Sequence, residues 1–214
     1  MNENIQIREN TCKTSNAKIR LYKEIFWAEP WNEWFICKSC WKILPKTFYW
    51  KCTCWETDKF EPFYKNKELK ESLASTVENF WYREFVADIL SEDVWFIWGW
   101  QTTLSQLNDC KLWLSEDDFK RFSQVINQIF PDFDFESVYY LAEIWVKNTF
   151  RWKSIAWELY RENIRSIEAS WVTYIVVRTT KKSNIPYKWF LREWYQEVFL
   201  YNDEQERVIL VKKL

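Results

Sequence analysis

The stretch from Ser137 to Lys182 restricts the possible folds more than any other. Val138-Tyr139-Tyr140-Leu141-Ala142-Glu143-Ile144-Trp145-Val146 is apolar and β-prone, as a strand requires. A basic turn, Lys147 to Lys153, follows it. The next segment, Ser154 to about Ala169, places Ile155, Leu159, Tyr160, Ile164 and Ile167 on one helical face. Val172-Thr173-Tyr174-Ile175-Val176-Val177-Arg178, rich in β-branched residues, reads as a second strand. Strand, helix and strand at this length make a βαβ unit, with parallel strands and a right-handed crossover. The first turn of the helix offers unpaired N–H groups and a positive dipole end beside Arg151 and Lys153, a setting suited to a phosphate.

Backbone freedom is the second constraint. The chain has 214 residues and one glycine, Gly99, where average usage of ~7% gives roughly 15. It also has 17 tryptophans, and several stand where glycine is wanted. Trp41 follows a Cys-x-x-Cys turn, and Trp55 follows a second cysteine pair. Trp171 lies between helix and strand, where a left-handed C-cap is expected. Trp152 and Trp157 lie in and just after a turn that must let a ligand approach the backbone. These placements point to a source that decodes UGA as glycine, with tryptophan written in its place. On this reading Trp27, Trp41, Trp55, Trp81, Trp95, Trp113, Trp145, Trp152, Trp157, Trp171 and Trp194 are affected. Trp31, Trp98, Trp100 and Trp189 read as true tryptophans, while Trp34 and Trp50 stay open. The rival is a tryptophan-rich surface for sugars or bases. It fits less well, because the tryptophans avoid a single-face spacing and gather at turns.

Charge excludes several classes. The net charge is −1 with a pI near 5.8, which argues against nucleic acid as a partner. The polar N-terminus lacks a signal-peptide core, and no apolar run reaches membrane-span length. A cytoplasmic protein without membrane contact is the expectation.

Ile5 to Glu9 alternate as a strand, and Lys13 to Phe26 read as a helix. Lys65 to Phe80 form an amphipathic helix, and Tyr82 to Leu90 and Asp93 to Gln101 consecutive antiparallel strands. Thr102 to Leu114 is irregular or weakly helical. Ser115 caps a helix with an acidic first turn, carrying Phe119, Phe122, Val125, Ile126 and Ile129 and ended by Pro131. Tyr187 to Glu193 is a short helix. Tyr195 to Tyr201 and Arg207 to Lys212 close as a hairpin. Between the first helix and Lys65, Cys37 and Cys40 precede Cys52 and Cys54. Two close thiol pairs around a short hairpin, Ile43 to Tyr49, suit a closed tetrahedral zinc site of structural type. A cytosolic setting disfavours disulfides as the alternative. Cys12 and Cys110 read as buried apolar side chains.

The absence of histidine removes a Ser-His-Asp triad and imidazole catalysis. With glycine at 152, Gly-Lys-Ser would suggest a P-loop. That motif needs another glycine five residues earlier, where Lys147 stands, so an NTPase is excluded.

Glu143-Ile144-Trp145-Val146 followed by Arg151-Trp152-Lys153-Ser154-Ile155-Ala156 resembles a strand and pyrophosphate loop of the GNAT superfamily of acyl-CoA-dependent N-acyltransferases. The family's loop reads Arg/Gln-x-x-Gly-x-Gly/Ala; Arg151 and Ala156 fit, and Ser154 stands in a glycine slot. Asn184 and the run Tyr187 to Tyr195 resemble the family's last helix and turn, and Phe26 to Glu33 the loop after its first helix. The order of elements extends the resemblance over the whole chain, 1–214, apart from an inserted zinc-ribbon-like segment, 35–58.

The resemblance implies an α/β (α+β) fold: a mixed, mostly antiparallel sheet with a central parallel βαβ unit and flanking helices. It implies acetyl-CoA as co-substrate, with a small-molecule or protein amine as acceptor. The fourth and fifth strands of the family's sheet splay to admit pantetheine. Ile144, Trp145 and Val146 would pair with the pantetheine, and Trp152, Lys153, Ser154, Ile155 and Ala156 would hold the pyrophosphate, with Arg151 and Asn184 beside them. Glu143 becomes a candidate base; a solvated strand residue is the plain alternative. Family members often carry a tyrosine as proton donor to the leaving thiolate where this chain has Phe190. Tyr187 and Tyr195 are the candidate substitutes. The alternative to catalysis is a binding module that senses acyl-CoA and uses the zinc ribbon for interaction.

Overall fold

The structure is a computed structural model and describes residues 5–10, 19–20, 22–24, 34–44, 46, 52–54, 60–77, 81–89, 92–146, 154–182, 184–203 and 206–214. The described strands are β1 (Ile5–Glu9), β2 (Phe35–Cys37), β3 (Ile43–Leu44), β4 (Phe60–Pro62), β5 (Arg83–Ile89), β6 (Glu92–Thr102), β7 (Val138–Val146), β8 (Tyr174–Thr180), β9 (Gln196–Leu200) and β10 (Arg207–Lys213). The helices are α1 (Asn66–Val77), α2 (Leu104–Leu107), α3 (Glu116–Ile129), α4 (Ile155–Glu168) and α5 (Asn184–Arg192). A seven-stranded sheet has the order β1-β5-β6-β7-β8-β10-β9, and a three-stranded sheet the order β3-β2-β4.

The chain divides into two compact units. One comprises Met1–Glu78, Val86–Phe96 and Trp145–Ala156. The other comprises Asn79–Phe85, Ile97–Ile144 and Trp157–Leu214.

The second unit is built around the βαβ element. β7 and β8 are parallel, pairing Val138 with Tyr174, Tyr139 with Ile175 and Tyr140 with Val176. β10 runs antiparallel to β8 along its whole length, from Arg207 opposite Thr180 to Lys213 opposite Tyr174. β9 closes that edge antiparallel to β10. The sheet is therefore mixed, as expected. Val138, Tyr140, Tyr174, Val176, Ile209 and Val211 gather with Leu104, Leu107, Leu112, Phe122 and Ile126 into one buried cluster.

Local chemistry explains the covering helix. The Ser115 side chain accepts the Asp118 N–H, satisfying one orphan donor, and Glu116, Asp117 and Asp118 meet the positive helix end. Phe122 and Ile126, one turn apart, are fully buried. Each such burial contributes about 1.5–3 kcal/mol. Along α4, Ile155, Leu159, Tyr160 and Ile167 are buried, as the period requires, and Asn163 joins them.

Gly99 lies within β6 because nothing larger fits. A Cβ there would come within 2.6 Å of the Tyr139 ring.

In the first unit, Arg8 on β1 pairs with Asp88 on β5 at 3.3 Å. Tyr22 meets Tyr64 edge-on and stacks on Phe96. Leu69 and Leu73, one turn apart on α1, are buried. Of the helix expected over Lys13 to Phe26, residues 19–20 and 22–24 are helical, and the rest lies outside the described residues.

Some expectations need correction. Ile43–Leu44 returns along β2, pairing Ile43 with Ile36 and Leu44 with Phe35, and the rest of the hairpin expected over Ile43 to Tyr49, apart from Lys46, lies outside the described residues. The Cys37–Cys40 turn reverses the chain there, and β4 pairs with the other edge of β2. Cys110 is exposed rather than buried, because it sits on a π-helical turn, Asn108–Leu112, that extends α2 and directs only Leu112 inward. Trp171 is fully exposed at 95% but does not take a left-handed backbone. The chain leaves α4 through Ser170, whose N–H bonds back to Ile167 O at 2.7 Å.

Candidate functional site

The parallel ladder of β7 and β8 covers only three residue pairs, ending at Tyr140 and Val176. β8 continues to Thr180 with β10 as its partner. Beyond Tyr140 and Val176 no further β7–β8 pair is found among the described residues, so the parallel ladder stops short of the ends of both strands.

Glu143 stands on β7 beyond the last β8 pair and is half-buried. Its Oε2 accepts a hydrogen bond from Trp98 Nε1 at 3.0 Å. The Trp98 and Tyr82 rings meet edge-on at 5.9 Å. Tyr82 donates its hydroxyl to Glu84 Oε2 at 2.8 Å, and Glu84 is 1% exposed. Burial first, then the Glu84 and Glu143 charges, raises the Tyr82 phenol far above its ordinary range, so it stays a neutral donor. Tyr82, Glu84 and Trp98 escaped sequence reading. The available signal was Tyr82 and Glu84 two apart on one strand, which places both on one face.

The tyrosines named as acid candidates have polar partners of their own. Tyr187 donates to Glu197 Oε2 at 2.7 Å, and Lys181 pairs with Glu197 Oε1 at 2.8 Å. The bond to Glu197 raises the Tyr187 pKa. Tyr195 is buried against Phe190, ring centroids 5.0 Å apart, and accepts a hydrogen bond from Tyr160 at 3.3 Å. Burial lifts its pKa well above the usual phenol range. Phe190 is itself buried. Across this unit Asn163 donates to the Tyr139 hydroxyl at 2.9 Å, while its Oδ1 has no partner among the described residues. A cleft lined by Tyr160, Arg161, Arg165, Glu168, Glu193 and Lys212 mixes both signs of charge.

Of the residues named for the acyl carrier, Ile144 and Asn184 fall in the second unit; Trp145, Val146, Ser154, Ile155 and Ala156 fall in the first. Arg151, Trp152 and Lys153 lie outside the described residues. Ser154 takes a left-handed backbone, φ 55°, immediately before α4 begins at Ile155. That conformation accounts for a slot where glycine is the low-cost residue. Asn184 is the first residue of α5.

The thiols of the first unit do converge. Cys37, Cys40, Cys52 and Cys54 bring their Sγ atoms within 4.8 Å of one another, with Cys37–Cys54 at 3.6 Å and Cys40–Cys52 at 3.4 Å. Tetrahedral Zn–S bonds of about 2.3 Å separate sulfurs by a little under 4 Å, so the set fits that geometry. Cys37 and Cys52 are buried and Cys40 is exposed. The turn is held by Cys37 N–H to Lys42 O at 3.0 Å and Trp41 N–H to Cys37 O at 2.8 Å. The thiols are strongly linked. A backbone hydrogen bond from Cys54 and the other sulfurs bring Cys52 down to about 6. Cys40 is pushed up to about 12: its backbone bond to Lys42 lowers it, but Cys52, burial and the remaining thiols raise it more. The cluster can hold a metal ion.

No protein-family model matches the chain, and no curated protein matches it. Solved structures do. NAA60 from Arabidopsis thaliana, in complex with acetyl-CoA, superposes with a TM-score of 0.55 at 12% identity, covering 99% of both chains. The NatC complex bound to Gag peptide and CoA gives 0.55 at 11% identity, covering 98% of each chain. The PaiA N-acetyltransferase of Thermoplasma acidophilum, with coenzyme A, gives 0.52 at 12% identity and 99% coverage of each. At these identities the likeness establishes the fold, a mixed α/β fold shared with GNAT acetyltransferases.

Proposed function

We propose that the chain is an N-acetyltransferase that moves an acetyl group from acetyl-CoA to a primary amine, carried by a small molecule or a protein. The single observation behind this is the three-pair parallel ladder of β7 and β8, in a fold shared with proteins solved with acetyl-CoA or CoA. In this reading the backbone of Ile144, Trp145 and Val146 orients the carrier arm. Arg151 to Ala156 and the start of α4 hold the diphosphate through N–H groups and the helix dipole, and Asn184 is kept as a further carrier contact implied by the family resemblance.

Bound acetyl-CoA supplies an activated carbonyl and a good leaving thiolate. Glu143 takes the proton from the attacking amine, directly or through a water, so that amine and thioester become amide and free thiol. Trp98 fixes the Glu143 carboxylate by its 3.0 Å bond, and Tyr82 with Glu84 packs behind Trp98. Tyr187 or Tyr195 would return a proton to the thiolate, which leaves readily without one. Cys37, Cys40, Cys52 and Cys54 hold a structural Zn2+: four thiolates leave no open position for substrate. The setting is cytoplasmic, without a membrane partner; among the described residues no helix is long and apolar enough to cross a membrane.

Phe190 in place of a donor tyrosine favours a second reading, an acyl-CoA-binding interaction module without catalysis. Calorimetric titration with acetyl-CoA, followed by thiol release over a panel of amines, separates them. Saturable binding with turnover on an amine is expected. Binding without turnover favours the module, and no binding at all ends both.

A further inference from the structure

Six non-glycine residues of the described chain have left-handed backbone: Trp41 (φ 59°), Trp81 (52°), Trp113 (52°), Ser154 (55°), Trp194 (67°) and Glu206 (51°). Tryptophan supplies 17 of 214 residues yet four of these six. A Cβ in this region crowds the following carbonyl, so bulky aromatic residues rarely occupy it. We propose that Trp41, Trp81, Trp113 and Trp194 are glycine in the native protein, because their codons are UGA and the source reads UGA as glycine.

The surroundings of each position agree. At the end of α5, Trp194 N–H bonds to Leu191 O at 3.2 Å and Tyr195 N–H to Phe190 O at 3.2 Å. These two bonds define a Schellman turn with residue 194 at its left-handed C′ position, the site where glycine dominates. Trp113 ends the π-turn in the same conformation, its N–H on Asn108 O. Trp41 leaves the thiol turn with its N–H on Cys37 O. None of the four rings is buried: exposures are 74% for Trp41, 43% for Trp81, 61% for Trp113 and 84% for Trp194. The contrast is with Trp98 and Trp100, at 4% and 2%, which lie in β6 and carry real packing: Trp98 binds Glu143, and Trp100 meets Tyr140 edge-on. Glycine scarcity is thereby explained without leaving Gly99 anomalous, since the one encoded glycine stands where a Cβ collides. As tryptophans, two of these rings meet a guanidinium, Arg178 over Trp113 at 4.9 Å and Arg83 over Trp81 at 5.7 Å, contacts made at the surface.

The gene and the native protein test this. UGA codons at 41, 81, 113 and 194 with UGG at 98 and 100 are expected. Peptides from the protein as made by its source should then be lighter at those four positions and unchanged at 98 and 100. UGG codons, or tryptophan in the native peptides at the four positions, overturn the proposal. A second test uses recombinant protein. The Trp41→Gly, Trp81→Gly, Trp113→Gly, Trp194→Gly variant should melt higher than the tryptophan chain, by about 2–4 °C for each position relieved of its strain. A lower melting temperature for that variant would falsify the assignment. Trp100→Gly is the control and should melt lower.

Discussion

Glu143 is the residue on which chemistry is expected to turn. It stands on β7 beyond the last β8 pair, and its carboxylate is oriented by Trp98 at 3.0 Å. Glu143→Gln keeps the shape and removes the base, so kcat should fall about 100-fold or more while acetyl-CoA affinity stays level. Steady-state rates and calorimetry check both halves; an unchanged kcat would move the base elsewhere. Gly99 is a residue of the opposite kind, important for the room it leaves. Gly99→Ala places a methyl group within 2.6 Å of the Tyr139 ring in a packed sheet. Overpacking of that sort costs roughly 1–3 kcal/mol, readable as a lower denaturant midpoint. Tyr139 responds because its hydroxyl is tied to Asn163 on α4.

Elements show what can be read from sequence and what cannot. α3 carried its own instructions: a Ser115 cap, three acids in the first turn, and Phe122 and Ile126 on the inward face. Phe122→Ala should cost about 3–5 kcal/mol by chemical denaturation, because that ring is fully buried and also meets Phe199 edge-on. The βαβ unit was equally legible, since period-two and period-3.6 patterns follow from burial on one face. The three-pair ladder of β7 and β8 was not: the strand pattern continues past Tyr140, and only tertiary pairing decides where it ends. The Cys37–Cys40 turn was foreseeable from thiol spacing. Its pairing of Ile43–Leu44 with β2 was not, because short strands carry too little pattern to choose a partner. The partners of Glu143 stayed hidden for a related reason, since Tyr82, Glu84 and Trp98 come from strands distant in sequence. Asn163 is not singled out by the helical period, and its bond to Tyr139 exists only in the folded state.

At the scale of the molecule, charge and metal set the conditions for stability. Lys38 and Lys65 hold Glu61 below the usual carboxylate range, Arg121 does so for Asp118, and Lys213 for Asp132. A depressed native pKa means that the unfolded state binds more protons in acid. Stability from these groups is therefore complete above about pH 4 and fades as pH falls through their lower native values. All three pairs face solvent, so each effect is small and screened by salt. Melting temperature should drop below about pH 4, and the Glu61→Gln, Asp118→Asn, Asp132→Asn variant should lose part of that slope. Stripping the proposed metal should act locally: if the four thiols hold zinc as proposed, a chelator should make amides of Phe35–Cys37 and Ile43–Leu44 exchange faster, while those of β8 and β10 keep their protection. Equal loosening everywhere would contradict a structural role confined to the knuckle.

The short ladder also gives the empty protein a measurable signature. β7 lies between β6 and β8 and alternates its N–H groups between them, so the amides of Leu141 to Ile144 that point toward β8 should exchange faster in the free protein than those that point toward β6. A guest that completes the missing rungs would quench that exchange along one strand and one strand only. The sheet would then be finished by its own substrate.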